Sequence, residues 1–141
     1  MKVAVLGDTH FGARNDSVHF SVFFEKFYKE IFFPYMEQHN IKHVIQLGDV
    51  FDRRKYINFQ TLNHCKDYFF KKLNNEYSSW LLVGNHDAYY KNTNDVNSLD
   101  MLLGEYNNIN LITKPTELEL DNTSVLLLPW ICDDNFTTTM E

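Results

Sequence analysis

Three times in this chain of 141 residues, a short apolar run breaks into glycine followed at once by side chains that bind metals or move protons. Val3-Ala4-Val5-Leu6 leads to Gly7-Asp8-Thr9-His10, and Val44-Ile45-Gln46-Leu47 leads to Gly48-Asp49-Val50-Phe51-Asp52. Leu81-Leu82-Val83 leads to Gly84-Asn85-His86-Asp87. Each run suffices for a buried strand, and the glycine permits a tight turn at its end. Parallel strands of α/β proteins carry their chemistry at that carboxyl edge. The pattern predicts a sheet that brings Asp8, His10, Asp49, Asp52, Asn85, His86 and Asp87 to one side.

The segments between the runs fit that reading. Phe20, Phe23, Phe24, Phe27, Tyr28 and Ile31 recur at three- and four-residue steps, predicting a helix capped at Asp16 or Ser17 and kinked or closed by Pro34. Such a stripe packs into a core first and into a subunit interface second. The next helix is expected from about Phe59 to Leu73, with Phe59, Leu62, Cys65, Phe69 and Leu73 on one side and Asn74-Asn75-Glu76 as its end. Ala88 to Asn97 reads as a polar loop, and Leu99, Leu102, Leu103 and Tyr106 as a short helix. Asn110-Leu111-Ile112 reads as a strand, and a hairpin turns about Asp121-Asn122. The order is β-α-β-α-β-α-β and then a hairpin: an α/β domain with a mostly parallel first sheet.

Composition narrows the chemistry. A net charge of −6 argues against gripping nucleic acid through a broad basic face. It leaves room for a nucleic-acid enzyme, because carboxylates gathered for divalent cations lower the apparent charge. Cys65 and Cys132 form no CxxC pair, and a buried free thiol at Cys65 fits a reducing compartment. The sequence shows no signal-peptide pattern and no run near the ~20 apolar residues of a membrane span, so a cytoplasmic protein is expected.

A two-cation site for displacement at phosphorus needs a carboxylate able to bridge the ions, with further oxygen and imidazole ligands. Asp8, His10, Asp49 and Asn85 supply that mixture. Such donors suit manganese, magnesium, iron or zinc, and the lack of nearby cysteine disfavours a thiolate zinc site. Any one of the three motifs alone would be weak evidence; an Asx-capped turn explains Gly84-Asn85-His86-Asp87 equally well. All three in order, each behind an apolar run, are a specific signal. Arg53-Arg54-Lys55 is the only dense basic run. It is either a solvated loop or, beside the carboxylates, a phosphate contact through Arg53 and Arg54.

These residues resemble the first three motifs of the calcineurin-like metallophosphoesterases. The resemblance implies Asp8 and His10 on one metal, Asp49 bridging both, and Asn85 on the second, with manganese as the first choice of ion. It also implies His86 as a catalytic non-ligand that meets the scissile phosphate, and Asp52 as the carboxylate that orients it. Phe11 ahead of Gly12, Phe51 ahead of Asp52, and Asp87 in the third motif are more similar to SbcD-type DNA repair nucleases than to the protein phosphatases of this family. Lys114-Pro115-Thr116 through Leu127-Leu128-Pro129-Trp130 extends the likeness to the recombination endonuclease subunits of T-even-type bacteriophages.

The family completes its site with a later histidine and a Gly-His-x-His motif. All six histidines here lie at or before His86, and His19, His39, His43 and His64 fall on helices or at a strand start. The resemblance thus implies that residues 1–141 are the N-terminal part of a single metallophosphoesterase domain, the first half of an α/β/β/α sandwich. The missing half would leave apolar surface on one side. Implied partners are DNA, an SMC-like ATPase subunit of the SbcC type, and a second copy in a homodimer. The implied activity is metal-dependent exo- or endonucleolytic cleavage in recombination and double-strand-break repair, with little expected of this stretch alone. A phosphomonoesterase or nucleotide phosphodiesterase, for which Asp52-Arg53 is the best feature, and a non-catalytic partner- or DNA-binding subunit are the alternatives.

Overall fold

The computed structural model describes all residues, 1–141. Along the chain, strand β1 (Val3–Leu6) is followed by helix α1 (residues 18–38) and strand β2 (His43–Gln46). Helix α2 (residues 59–76) leads to β3 (Ser78–Leu82), the hairpin β4 (Ala88–Tyr90) and β5 (Thr93–Asn97), and helix α3 (Ser98–Leu103). Strand β6 (Ile109–Ile112), the hairpin β7 (Thr116–Leu120) and β8 (Thr123–Leu127), and helix α4 (Phe136–Met140) complete it. The central sheet has the order β1-β2-β3-β6 with every pair parallel. All four carboxyl ends therefore lie on one edge.

Alternation along the strands sorts the apolar residues between two faces. Ala4, Leu6, Val44, Leu81, Ile109 and Leu111 join the helices in a cluster whose buried centre is aromatic. There Tyr28 of α1 meets Phe69 of α2 with ring centroids 4.5 Å apart, and Phe11 packs 5.2 Å from Phe69. Val3, Ile45, Trp80, Leu82 and Ile112 point the other way, where the β7–β8 hairpin lays Leu118, Leu120, Val125 and Leu127 over them.

Several expectations need correction. Pro34 neither closes nor ends its helix, which continues to Gln38. A wider π turn over Tyr28–Phe32 precedes it, an irregularity that lets a helix carry a residue lacking an N–H. Ser17 stands at the N-cap position without a side-chain cap bond. The Asp16 carboxylate is instead taken by Arg53 and Thr61. Phe59, expected on the buried side of α2, is 85% exposed because it is the first helical residue, after the Asn58 cap. The aromatic stripe of α1 divides: Phe24 and Tyr28 face the core, while Phe20, Phe23, Phe27 and Ile31 stay exposed. Residues 88–97 are no loop but the β4–β5 hairpin, whose strands are too polar for an alternating pattern to show. No helix is long and apolar enough to cross a membrane.

Candidate metal centre

The loops after β1 and β2 continue the sheet's pairing past the strand ends. His10 donates its N–H to the Asp49 carbonyl at 3.0 Å and Phe11 to the Val50 carbonyl at 2.9 Å; Asp52 donates back to the Phe11 carbonyl at 3.1 Å. Phe11 and Phe51 pair as an isolated parallel bridge, and both rings are buried in the helical core. Each loop is thus pinned by the aromatic residue that follows its candidate metal-binding side chains. Thr9 adds a hydroxyl bond to the Val50 carbonyl at 3.1 Å. His10 and Asp49 sit at φ 43° and 50°, a left-handed conformation uncommon for such residues and held here by the surrounding bonds.

The third loop comes very close. A Cβ on Gly84 would lie 2.2 Å from the Asp49 nitrogen and 2.3 Å from its Oδ1, so only glycine fits. Gly48, at φ 111°, presses on the same point from the other loop. Through this contact the His86 N–H donates to Asp49 Oδ1 at 2.8 Å.

Two residues that sequence reasoning left without a role hold this assembly. Asp87 is fully buried and accepts the backbone N–H groups of Gly84 at 2.9 Å, Val50 at 3.2 Å and Phe51 at 3.1 Å. It ties the third loop to the second, and Ser98 Oγ reaches it at 3.3 Å. Burial pushes its carboxyl up to about 6, against the pull of the three N–H donors. Gln46, also fully buried, donates to the Gly48 carbonyl at 2.7 Å and accepts from the Gly48 N–H at 2.8 Å. Its signal was present in the sequence as the one polar residue in the apolar run Val44–Leu47.

At the open end, Asp8, His10 and Asp49 can each point one ligand atom within 4.8 Å of the others. His10 Nε2 lies 3.8 Å from Asp8 Oδ2 and 3.9 Å from Asp49 Oδ2, a spacing that a shared cation would close. His10 Nδ1 is buried without a hydrogen-bond partner, with Asp52 Oδ1 3.5 Å away. An imidazole that ligates through one nitrogen and faces a carboxylate with the other is the usual arrangement at such centres. The Asn85 amide faces Asp49: its NH₂ group, so oriented, would donate to both carboxylate oxygens at 3.1 and 2.9 Å, and its oxygen there would need a cation between. The donor set fits hard or borderline divalent ions.

His86 stands beside this group, its ring centroid 5.1 Å from that of His10. Its Nδ1 lies 2.8 Å from the Asp52 backbone carbonyl, which can only accept, so Nδ1 carries the proton and Nε2 is left free. The Asp52 carboxylate therefore faces His10, and its carbonyl faces His86. Arg53 is committed to Asp16 at 2.7 Å and Asn15 at 2.8 Å, whereas Arg54 donates to the Ala88 carbonyl at 3.2 Å. The remaining histidines lie elsewhere: His64 bonds Glu25 and Ser21, and His39 packs at a tilt against Tyr35. On the far side, an open cleft beside Asp8, Asp49 and Asn85 is bordered by Leu47, Leu128 and Trp130.

Comparison with known proteins places the chain in a family and a fold. The chain is 32% identical over 135 residues to exonuclease subunit 1 of Enterobacteria phage T4, covering 96% of this chain and 40% of that protein. It spans well under half the length of that curated relative. The structure of a nuclease from Pseudomonas putida, MPE, superposes with a TM-score of 0.52 at 20% identity, over 83% of this chain and 50% of that one, a likeness of fold. The family model of the calcineurin-like phosphoesterases matches residues 1–135. With the parallel sheet and the candidate ligands on the loops at its carboxyl edge, this chain belongs to the calcineurin-like phosphoesterases.

Proposed function

We propose that this chain provides the metal-binding half of a DNA phosphodiesterase centre that takes two divalent cations, manganese before magnesium, iron or zinc. The observation that carries the reading is the convergence of Asp8, His10 and Asp49 with His86 beside them. In this reading Asp8 and His10 would hold one ion, Asp49 would serve both, and Asn85 would serve the second. Bound there, the cations supply Lewis acidity and an activated nucleophile at neutral pH. The chain's own groups do the rest. Asp52 Oδ1 steadies the His10 ring from behind, and the Asp52 carbonyl fixes the tautomer of His86. With Nδ1 committed to that carbonyl, Nε2 of His86 is free to relay a proton from solvent to the leaving oxygen. Arg54 meets a substrate phosphate, and Arg53 keeps the loop in place through Asp16.

The donor count sets the strength of binding. Asp8, His10 and Asp49 would serve the first ion, and only Asp49 and Asn85 the second, leaving most remaining positions to water. The first ion binds more tightly than the second, and phosphodiester cleavage by residues 1–141 alone is weak even in millimolar manganese. The phage relative is an exonuclease subunit, which supports DNA as substrate; recombination and break repair are the setting in this reading, with an SMC-like ATPase of the SbcC type as partner. A second copy of the chain is the further partner in this reading, and the exposed Phe23, Phe27 and Ile31 of α1 offer it an apolar face.

The test is a manganese titration by calorimetry. Asp49→Asn abolishes both binding events and Asp8→Ala chiefly the tighter one; two unaltered events in Asp49→Asn overturn the assignment. His86→Ala leaves manganese binding intact and, in a form with measurable turnover, lowers it by about 10²–10⁴-fold. Loss of metal in that variant would make His86 a ligand instead.

A further inference from the structure

The loop after Asp52 and the hairpin after Asp87 enclose a cavity of about 310 Å³. Its walls are apolar: Phe51, Ile57, Tyr89, Val96, Met101 and Leu102. This is the small end of the ~300–1,000 Å³ found for ligand sites, room for a flat ring rather than for a folded partner. The slot is open, since Met101 is 77% and Tyr56 68% exposed.

Its rim is cationic, with Arg53, Arg54 and Lys55 in succession. The Arg53 charge is answered by Asp16. Arg54 bonds only a neutral carbonyl, and Lys55 lies over the Tyr89 ring at 5.5 Å from its centroid; neither pairs with a carboxylate. Two unanswered cations side by side, in a chain of net charge −6, make a local positive field. The slot is built from segments that adjoin the candidate metal centre along the chain. Phe51 and Arg53 flank Asp52 along the chain, and Tyr89 follows His86 by three residues.

An apolar slot with an aromatic wall and a positive rim, on segments adjoining the candidate metal centre, matches the chemistry of a single nucleic-acid strand. Bases stack on aromatic rings whatever their sequence, while lysine and arginine track the backbone. We propose that the slot takes one unpaired base of a DNA strand, against Tyr89, with the adjoining phosphates on Arg54 and Lys55 and the next phosphate at His86. A base stacked in intact duplex cannot enter, so frayed or single-stranded ends are the preferred substrate. The inference rests on the phosphodiesterase reading above.

The experiment compares labelled oligothymidylate with an abasic deoxyribose-phosphate strand of equal length, by fluorescence anisotropy at fixed low salt. Oligothymidylate is expected to bind about tenfold tighter or better. Tyr89→Ala and, separately, Met101→Glu should remove that difference; Met101 is exposed enough that its variant keeps the fold. Equal affinity of the wild type for both strands, or variants that weaken both alike, would overturn the slot as a base site. Displacement of the oligonucleotide by thymidine monophosphate at stoichiometric concentration would overturn the DNA strand in favour of a mononucleotide. Manganese titration separates the two readings. Normal metal binding without base discrimination removes only the slot. Base discrimination with manganese binding unaffected by Asp49→Asn removes only the metal assignment.

Discussion

The two faces of the parallel sheet are built to different depths. On the helical face, α1 and α2 help bury a cluster of 20 residues with aromatic rings at its centre; on the hairpin face, β7 and β8 help bury a cluster of five. Parallel sheets are normally covered on both faces. Here Val5 on the second face remains 59% exposed, and Leu47, Leu126, Leu128 and Trp130 are exposed nearby. The difference carries through to the site. Phe11 and Phe51 anchor the loops bearing His10, Asp49 and Asp52 in the deep core, whereas Asp8 and Asn85 open toward the cleft bordered by Leu128 and Trp130. Unusual backbone conformations at His10 and Asp49 are sustained only where packing over-determines them, and the thick face does this.

That contrast can be broken most forcefully at Phe69, which is fully buried between Tyr28 and Phe11. Phe69→Ala should cost about 3–5 kcal/mol in denaturant unfolding. A loss under about 1 kcal/mol would show that the aromatic cluster does not support the loops.

Asp87→Ala comes next. It strips the partner from three backbone N–H groups, and buried donors left unpaired cost ~1–3 kcal/mol each, partly recovered by water. A destabilisation of roughly 3 kcal/mol is expected, with weaker manganese binding although Asp87 is no ligand. Unchanged manganese affinity in the folded variant would mean that the cross-tie does not hold the ligands.

Leu127 probes the thin face. Leu127→Ala should cost about 2 kcal/mol, the low end for a buried leucine, because the shallow cluster can collapse or admit water. Manganese binding should not change. A loss as large as that at Phe69 would erase the distinction between the faces.

The smallest effect is expected at Asp121, whose carboxylate meets the N-terminal amine at 3.2 Å while 63% exposed. Asparagine tolerates the left-handed φ of 49° found there, so Asp121→Asn isolates the charge. A change under about 1 kcal/mol, fading with added salt, is expected; a larger one would give the hairpin a firmer tie to β1 than surface ion pairs provide.

Much of this architecture is legible in the chain itself. The three apolar runs ending in Gly7, Gly48 and Gly84 announce parallel strands with chemistry at one edge, because a strand period and a glycine turn are local properties. The β7–β8 hairpin about Asp121-Asn122 is local in the same sense. The sequence therefore determined the α/β class, the edge and the candidate ligands Asp8, His10, Asp49 and Asn85. Other outcomes depended on residues far apart in the chain. Which side of the α1 stripe is buried was decided by where α2 packs, and so Phe24 went inside while Phe23 stayed out. Polar residues 88–97 became strands because β4 and β5 supply each other's hydrogen bonds, which no alternating pattern records. Asp87, last in a run of site-like residues, became a structural tie because Val50 and Phe51 brought their N–H groups to it across 37 and 36 positions. The Asp52 carboxylate was turned to His10 and its carbonyl to His86 by the pairing of the first two loops. Residue types and spacing set the kinds of group available; only tertiary packing chose which atom of each faces the site.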